Sequence, residues 1–359
     1  MTRPYKKIVV KIGSNVLTTA EGLLDDRRIR SLVGQVVTLK KRGIAVILVS
    51  SGAVASGRSM IRIAEKHDAV AARQLLASVG QIRLINNYLT LFEEHNLLCS
   101  QVLVTKEDFR DRKHYLNMKG CLSILLKHHI VPIINENDVV AVTELMFTDN
   151  DELAGLVASM LDADALIILS NVNGIYNGDP SEEGSIVIEQ IRAEGEDIGA
   201  YISPGNSSAG RGGMSTKLGM AQKTAKLGIP VHIANGTADD ILLQLLEGTV
   251  VHTEFIPDKV KSGKKKWIAN SQDSATGSVV INEGAKTALV SGSARSLLPV
   301  GIVQVLSAFQ KGDIIRLLDE NKQVLGLGIA EYNSDRAIER TGQKGEKPLV
   351  HYNYFYAIR

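Results

Sequence analysis

Gly210-Arg211-Gly212-Gly213-Met214-Ser215-Thr216-Lys217 runs straight into a helical pattern, and that pattern runs into a strand. Met214, Leu218, Ala221 and Ala225 recur at helical spacing, and Gly228 and Pro230 close the segment, so a helix is expected over 214–227. The apolar run 229–234 after it reads as a buried strand. Glycines before a helix let the backbone approach a ligand without Cβ interference. Unpaired amide N–H groups at the helix start point at an anion placed there, and Lys217, in the first turn, leans back toward the same spot. Two readings stand: a phosphate cradle with a cation aimed into it, or a glycine loop before an ordinary amphipathic helix with Lys217 solvated. The P-loop order Gly-Lys-Ser/Thr is absent, because Lys217 follows Thr216 and precedes Leu218.

Outward from this unit the same alternation repeats. Residues 7–12, 44–50, 130–135, 165–170 and 229–234 read as strands, and 26–42, 71–95, 112–127, 150–161 and 214–227 as helices. Strands apolar on both faces belong in a parallel sheet covered by helices. The expected fold is therefore α/β, a three-layer αβα sandwich with a mainly parallel sheet. Ligands in such folds gather outside the carboxyl ends of the strands. After Phe255 the pattern changes. Lys261-Ser262-Gly263-Lys264-Lys265-Lys266-Trp267 reads as a polar connector, with Lys264 to Lys266 solvated. Short β-like runs follow at 277–281, 288–290, 302–306, 313–318, 323–330 and 349–354. The expected organisation is an α/β domain over 1–257, a linker over 258–275 and a small, mostly-β module over 276–359.

Composition narrows the class. A chain of 359 residues exceeds one typical domain, and 44% hydrophobic with 22% charged residues fits a globular protein. A net charge of +2 and only 4% aromatic residues favour neither nucleic acid nor a membrane surface as a partner. Cys99 and Cys121 sit in apolar surroundings and read as core thiols of a reducing compartment. No apolar run reaches membrane-spanning length and the N-terminus lacks a signal-peptide pattern, so the expected location is the cytoplasm.

Further segments fall just past expected strand ends, each with a bland alternative. Lys11-Ile12-Gly13-Ser14-Asn15 is a cation followed by small polar residues, or simply a charged strand rim. Ser50-Ser51-Gly52-Ala53 offers hydroxyls, or only a turn. Asn135-Glu136-Asn137-Asp138 could read polar substrate groups, or be a surface loop. Thr148-Asp149-Asn150-Asp151 could act chemically, or merely cap a helix. Ser170-Asn171-Val172-Asn173-Gly174 could hold a base or ribose, or form a plain turn.

The order of these segments resembles the amino-acid kinase superfamily and, within it, the glutamate 5-kinases. Ser-Gly-Ala at 51–53, Ile-Asn-Glu-Asn-Asp at 134–138, Asp-Asn-Asp at 149–151 and Gly-Gly-Met-Ser-Thr-Lys at 212–217 carry the resemblance. Glu283-Gly284-Ala285, residues 296–302 and Tyr332-Asn333-Ser334-Asp335 resemble the PUA domain that follows many bacterial members. The resemblance implies transfer of the γ-phosphoryl of ATP to the side-chain carboxylate of L-glutamate, the first step of proline biosynthesis, with Mg²⁺ riding on the phosphates. It implies catalytic roles for Lys11, Lys217 and Asp151, and glutamate binding by Ser51, Asp138, Asn150 and Asn135. Nucleotide binding is implied for Lys11, Ser170, Asn171, Arg211, Gly212, Gly213, Met214, Ser215, Thr216 and Lys217. It further implies proline as a feedback inhibitor and a homo-oligomer, dimer or tetramer. RNA is a partner only by analogy with PUA modules elsewhere.

Two positions depart from the family's pattern. Ser170-Asn171 stands where Thr-Asp is common, and Arg211 where Thr precedes Gly-Gly-Met. A lost carboxylate and a gained cation are expected to alter nucleotide affinity or base preference without touching the lysines. Three rivals are another carboxylate, carbamate or nucleotide kinase of the superfamily, an RNA-binding protein, and a proline sensor without catalysis. The Asn-Glu-Asn-Asp loop, the near-neutral charge, and the retention of Lys11, Asp151 and Lys217 argue against them in turn.

Overall fold

Every second residue of β1 (Lys7–Ile12) serves a different layer of the molecule. Ile8, Val10 and Ile12 join one buried cluster, while Val9 and Lys11 point to the opposite face. In the computed structural model, residues 5–62, 68–140, 147, 149–180, 182, 184–193, 214–290 and 295–358 are described. The chain separates into two compact units, Met1–Val260 and Lys261–Arg359.

The first unit continues through α1 (Ser14–Leu17), α2 (Asp26–Lys41), β2 (Ala45–Ser50), α3 (Ala53–Arg58), α4 (Ala69–Glu93), β3 (Cys99–Val104) and α5 (Lys106–Arg110). It then runs through α6 (Arg112–Lys127), β4 (Val131–Glu136), α7 (Asn150–Leu161), β5 (Ala165–Ser170) and β6 (Gln190–Arg192). It closes with α8 (Met214–Lys226), β7 (Val231–Asn235), α9 (Ile241–Glu247) and β8 (Thr253–Ile256). The sheet order is β3-β4-β2-β1-β5-β7-β8-β6. The first six strands are parallel, and β8 and β6 run against them. From β1 the chain moves to β2 on one side and later crosses to β5 on the other. The β1/β5 boundary is thus the topological switch point, where open α/β sheets bind ligands.

Ile29, Leu32 and Val36 of α2, Leu84 and Phe92 of α4 and Leu242 of α9 cover one face of the sheet. Helices α6, α7 and α8 pack on the other. This is the expected three-layer arrangement. Strands β3, β6 and β8 and helices α1, α3, α5 and α9 are additions to it. In the edge strand β3, Gln101 and Leu103 are exposed, so it lacks the continuous apolar run that marks a buried strand. The sequence-based placement of both cysteines in a core is corrected for Cys121, which is exposed on α6, and Cys99 is only half-buried.

The second unit holds α10 (Gly263–Ala269), β9 (Gly277–Ile281), α11 (Glu283–Val290), β10 (Ile302–Ser307), β11 (Ile314–Leu318), β12 (Val324–Ile329), α12 (Ser334–Arg340) and β13 (Phe355–Ala357). Its sheet order is β10-β9-β11-β12-β13, with β9 and β11 parallel and the other pairs antiparallel. Val279, Ile281, Ile315, Leu317, Leu349 and Phe355 build its core. Residues 288–290, expected as a strand, close α11 instead. A short apolar triplet does not separate strand from helix, and here Ala285 and Leu289, four apart, face the core together. Helix α10 lies within the stretch read as a connector. Lys264 is exposed and sits 4.5 Å over the Tyr354 ring, whereas Lys266, Trp267 and Ile268 are buried, which corrects the expectation of a solvated basic run. No described helix is long and apolar enough to cross a membrane.

Candidate active site

Three charged side chains meet at the carboxyl end of β1. Lys11 Nζ lies 2.7 Å from Asp151 Oδ1, and Lys217 Nζ donates to Asp151 Oδ2 at 2.6 Å. Lys11 holds Oδ1 as an ion pair. Asp151 is 1% exposed, and the two lysines 7% and 6%. Burying charge costs several kcal/mol per ion unless partners compensate it. Burial is the strongest influence on Lys11 and lowers its pKa, Asp151 pulls upward, and Lys217 pushes down again. Burial alone would raise the Asp151 carboxyl, but the two lysines outweigh it and hold it below the usual carboxylate range.

Local sequence explains how these groups meet. Lys11 points to the α7 face because it alternates with the core residues Val10 and Ile12. The capping alternative for Asp-Asn-Asp resolves by division of labour. Asp149 is the N-cap, its Oδ1 accepting from Asp151 N at 2.9 Å and Glu152 N at 3.0 Å, which leaves the Asn150 and Asp151 side chains to the cleft. Burial, and then the neighbouring Asp151, push the Asp149 carboxyl above its usual range. One turn beyond Asp151, Gly155 permits α8 to approach: a Cβ there would lie 2.5 Å from Met220 Sδ and 2.8 Å from Thr224 Oγ1. Met220 is one turn beyond Lys217, so this crossing delivers Lys217 to Asp151.

The neighbouring positions follow the switch point. Gly13 N donates to Leu169 O at 3.2 Å, and a Cβ on Gly13 would press to 3.1 Å from that oxygen. Ser170, the last residue of β5, and Asn171, just past it, stand one and two residues further along, half-buried and exposed respectively. Gly236 N, past β7, donates to Ser170 O at 2.7 Å. Met214, Ser215 and Thr216 form the first turn of α8 with Lys217. Arg211, Gly212 and Gly213 lie outside the described residues.

On the other side of β1, past β2 and β4, lies a polar network. Gly52, at φ 110°, turns the chain out of β2 in the left-handed region that glycine favours. Ser51 N reaches Ile12 O at 3.1 Å, while Ser50 is tied to the buried Tyr88 hydroxyl at 2.9 Å. Asn150 Nδ2 donates to Ser51 Oγ at 2.8 Å and to Asn135 Oδ1 at 3.1 Å, and Asn135 Nδ2 donates to Gln81 Oε1 at 3.0 Å. Asp138 Oδ1 accepts from Arg73 Nε at 2.6 Å, and Glu136 Oε2 from Arg73 Nη2 at 2.9 Å. The structure thus joins Ser51, Asn135 and Asn150 directly and sets Asp138 in an adjoining ion pair.

Sequence alone singles out neither Arg73 nor Gln81, both on α4. The available signal was Gly80, inside the helix expected over 71–95, where glycine is costly and marks close packing. A Cβ on Gly80 would lie 1.9 Å from Ala53 O, and one on Gly57 2.0 Å from Leu76 O. Backbone contact at these glycines seats α4 on α3 and carries Arg73 and Gln81 to the cleft.

Buried, partly uncompensated lysines at the mouth of a parallel sheet suit an enzyme that moves phosphoryl groups, where positioning and positive charge supply most of the catalysis. The chain belongs to the amino acid kinase family, which matches residues 6–235, and residues 277–352 match the PUA domain. Over 359 residues it is 51% identical to a glutamate 5-kinase of Bacteroides thetaiotaomicron, covering 99% of each chain. Over 355 residues it is 50% identical to a glutamate 5-kinase of Chlorobaculum tepidum, covering 99% of this chain and 98% of that one. Among solved structures, carbamate kinase from Giardia lamblia bound to AMP-PNP matches with a TM-score of 0.52 at 18% identity, covering 71% of this chain and 99% of that one. The latter likeness shows the fold alone.

Proposed function

We propose that this chain transfers the γ-phosphoryl group of ATP to the side-chain carboxylate of L-glutamate, giving L-glutamyl 5-phosphate and ADP, the first step of proline biosynthesis. The observation that carries this reading is the bridge of two buried lysines over one aspartate, 2.7 and 2.6 Å away. Identity of 51% and 50% to glutamate 5-kinases over nearly the full chain supports the choice of acceptor. Both reactants are anionic and the phosphoryl group spreads charge in the transition state. Lys11 and Lys217 answer that charge, and Asp151 fixes where they stand. No general base is needed, since a glutamate carboxylate is ionised near pH 7. In this reading Ser51, Asn135 and Asn150 orient the acceptor and Asp138 takes its ammonium group. The segments at Ser170-Asn171 and Arg211 to Thr216 hold the nucleotide.

Among the described residues, no group of three or more His, Cys, Asp or Glu could hold a metal by itself. A Mg²⁺ carried by the ATP phosphates takes only one or two protein carboxylates. Asp149 Oδ2, buried and without a hydrogen-bond partner, is the donor that suits it. When bound, the ion neutralises phosphate charge. Proline as a feedback inhibitor, a homo-oligomeric state and action in the cytoplasm belong to the same proposal and rest on the family likeness.

The test is ATP turnover with Mg²⁺, hydroxylamine and L-glutamate, aspartate or acetylglutamate in parallel, scoring the hydroxamate trapped from the acyl phosphate. Hydroxamate from glutamate alone is expected. Hydroxamate from a different acid would move the specificity, and none from any acid would remove the assignment.

A further inference from the structure

Helix α4 contributes a charge to the cleft that the reading above leaves without a task. Arg73 spans two acids with its planar fork, Nε on Asp138 at 2.6 Å and Nη2 on Glu136 at 2.9 Å. Glu136 and Asp138 are 5% and 7% exposed, so the two carboxylates would repel strongly if left alone. Glu136 Oε1 also accepts from Phe147 N at 2.8 Å. Through that bond the guanidinium ties α4 to the chain that enters Asp149-Asn150-Asp151. Charge arithmetic gives the consequence: two carboxylates and one guanidinium leave one negative charge, and Asp138 keeps its second oxygen for another donor.

We propose that Arg73 is the positioning residue of the acceptor end: it cancels Glu136, holds Asp138 by one oxygen, and so leaves a single carboxylate to read the ammonium of an incoming amino acid. The inference rests on the acceptor assignment above and deepens it. Without Arg73, a substrate bearing two carboxylates of its own would approach two buried acids instead of one. Lysine is a poor substitute, because a point charge cannot address both carboxylates as a planar fork does.

The test is the hydroxamate assay on wild type, Arg73→Met, Arg73→Lys, Asp138→Asn and the Arg73→Met/Asp138→Asn double variant, varying glutamate and ATP separately. Loss of a charge-assisted contact predicts a glutamate KM raised about tenfold or more in Arg73→Met. Its kcat and its KM for ATP are expected to stay within about threefold. The double variant is expected to be no worse than Asp138→Asn alone, because the arginine acts through that carboxylate. Arg73→Lys should recover part of the loss. A glutamate KM within about twofold of wild type, or additive effects in the double variant, would overturn the proposal. So would a fall in kcat and melting temperature at unchanged KM, the mark of a purely structural role. If Arg73→Met does not fold, Arg73→Lys decides: an unchanged glutamate KM rejects the proposal. Wild type without hydroxamate would overturn the acceptor assignment and this inference together, whereas active wild type beside an unaffected Arg73→Met removes only the inference.

Discussion

At one end of the cleft two lysines converge on one aspartate; at the other, one arginine spans two carboxylates. The two lysines and Asp151 by themselves carry one surplus positive charge, which the nearby Asp149, its carboxyl pushed upward by burial and by Asp151, offsets in part. The second is left with surplus negative charge. Buried ions are tolerated only when compensated, so each end has an electrostatic preference for the group it lacks. Phosphate suits the first and an ammonium group the second. The two ends are also built differently. Asp151 and Lys217 are brought together by the approach of α7 and α8 at Gly155, and Arg73 and Gln81 are carried in by the contact of α3 and α4 at Gly57 and Gly80.

The largest expected effect separates the ends by rate. Lys217→Ala and Lys11→Ala should each lower turnover by about two to three orders of magnitude, the scale of removing one preorganised charge stabiliser. Steady-state kinetics with saturating glutamate and ATP checks this. Near-normal turnover in both would erase the distinction between the two ends.

Glycine substitutions sharpen the architectural half of the comparison. Gly80→Ala meets backbone at Ala53 O and cannot be relieved by a rotamer change, so a loss of about 1–3 kcal/mol or more is expected, with a raised glutamate KM. Gly155→Ala meets the Met220 and Thr224 side chains, and should cost less stability but lower kcat by displacing Lys217. Chemical denaturation with paired kinetics separates the two. An interchange of the KM and kcat effects would break the link between each crossing and its end of the cleft. Smaller still, Asn150→Ala should raise the glutamate KM about tenfold, since it loses contacts to both Ser51 and Asn135.

Another buried titratable group, away from both ends, supplies a contrast with no expected effect on activity. His232 is bonded to the Tyr5 hydroxyl at 2.9 Å and to His252 at 3.1 Å. Burial, with His252 adding to it, lowers its pKa to about 3. The folded chain therefore refuses a proton that the unfolded chain accepts, so stability present above pH ~6.5 is lost as pH falls toward about 3. The loss is on the order of a few kcal/mol and should shrink in His232→Gln, as measured by denaturation at pH 7 and pH 4. An unchanged pH dependence in that variant would show that other groups carry the acid sensitivity.

What the sequence made legible follows from the range of the interactions. Lys7–Ile12, Arg112–Lys127, Asn150–Leu161 and Ala165–Ser170 were readable end to end, because continuous apolar runs and caps are local signals. The edge strand β3 and the short β6 and β8 were not, since pairing rather than composition makes them strands. Within the site, Lys11, Asp151 and Lys217 lie beside motifs that announce themselves. Arg73 and Gln81 sit within α4 away from any such motif, and only the contact of Gly57 and Gly80 with the facing helix explains their arrival. The burial of Lys266 was hidden for a related reason: three successive lysines look solvated until the turn of α10 places one of them inward with Trp267.

The most direct test of the charge-complementarity account is a side-by-side measurement of kcat and glutamate KM for Lys217→Ala and Asp138→Ala. The account predicts a crossed result. Lys217→Ala should lose turnover with little change in glutamate KM, and Asp138→Ala should bind glutamate poorly yet turn over well when saturated. Equal losses in both parameters for both variants would contradict it.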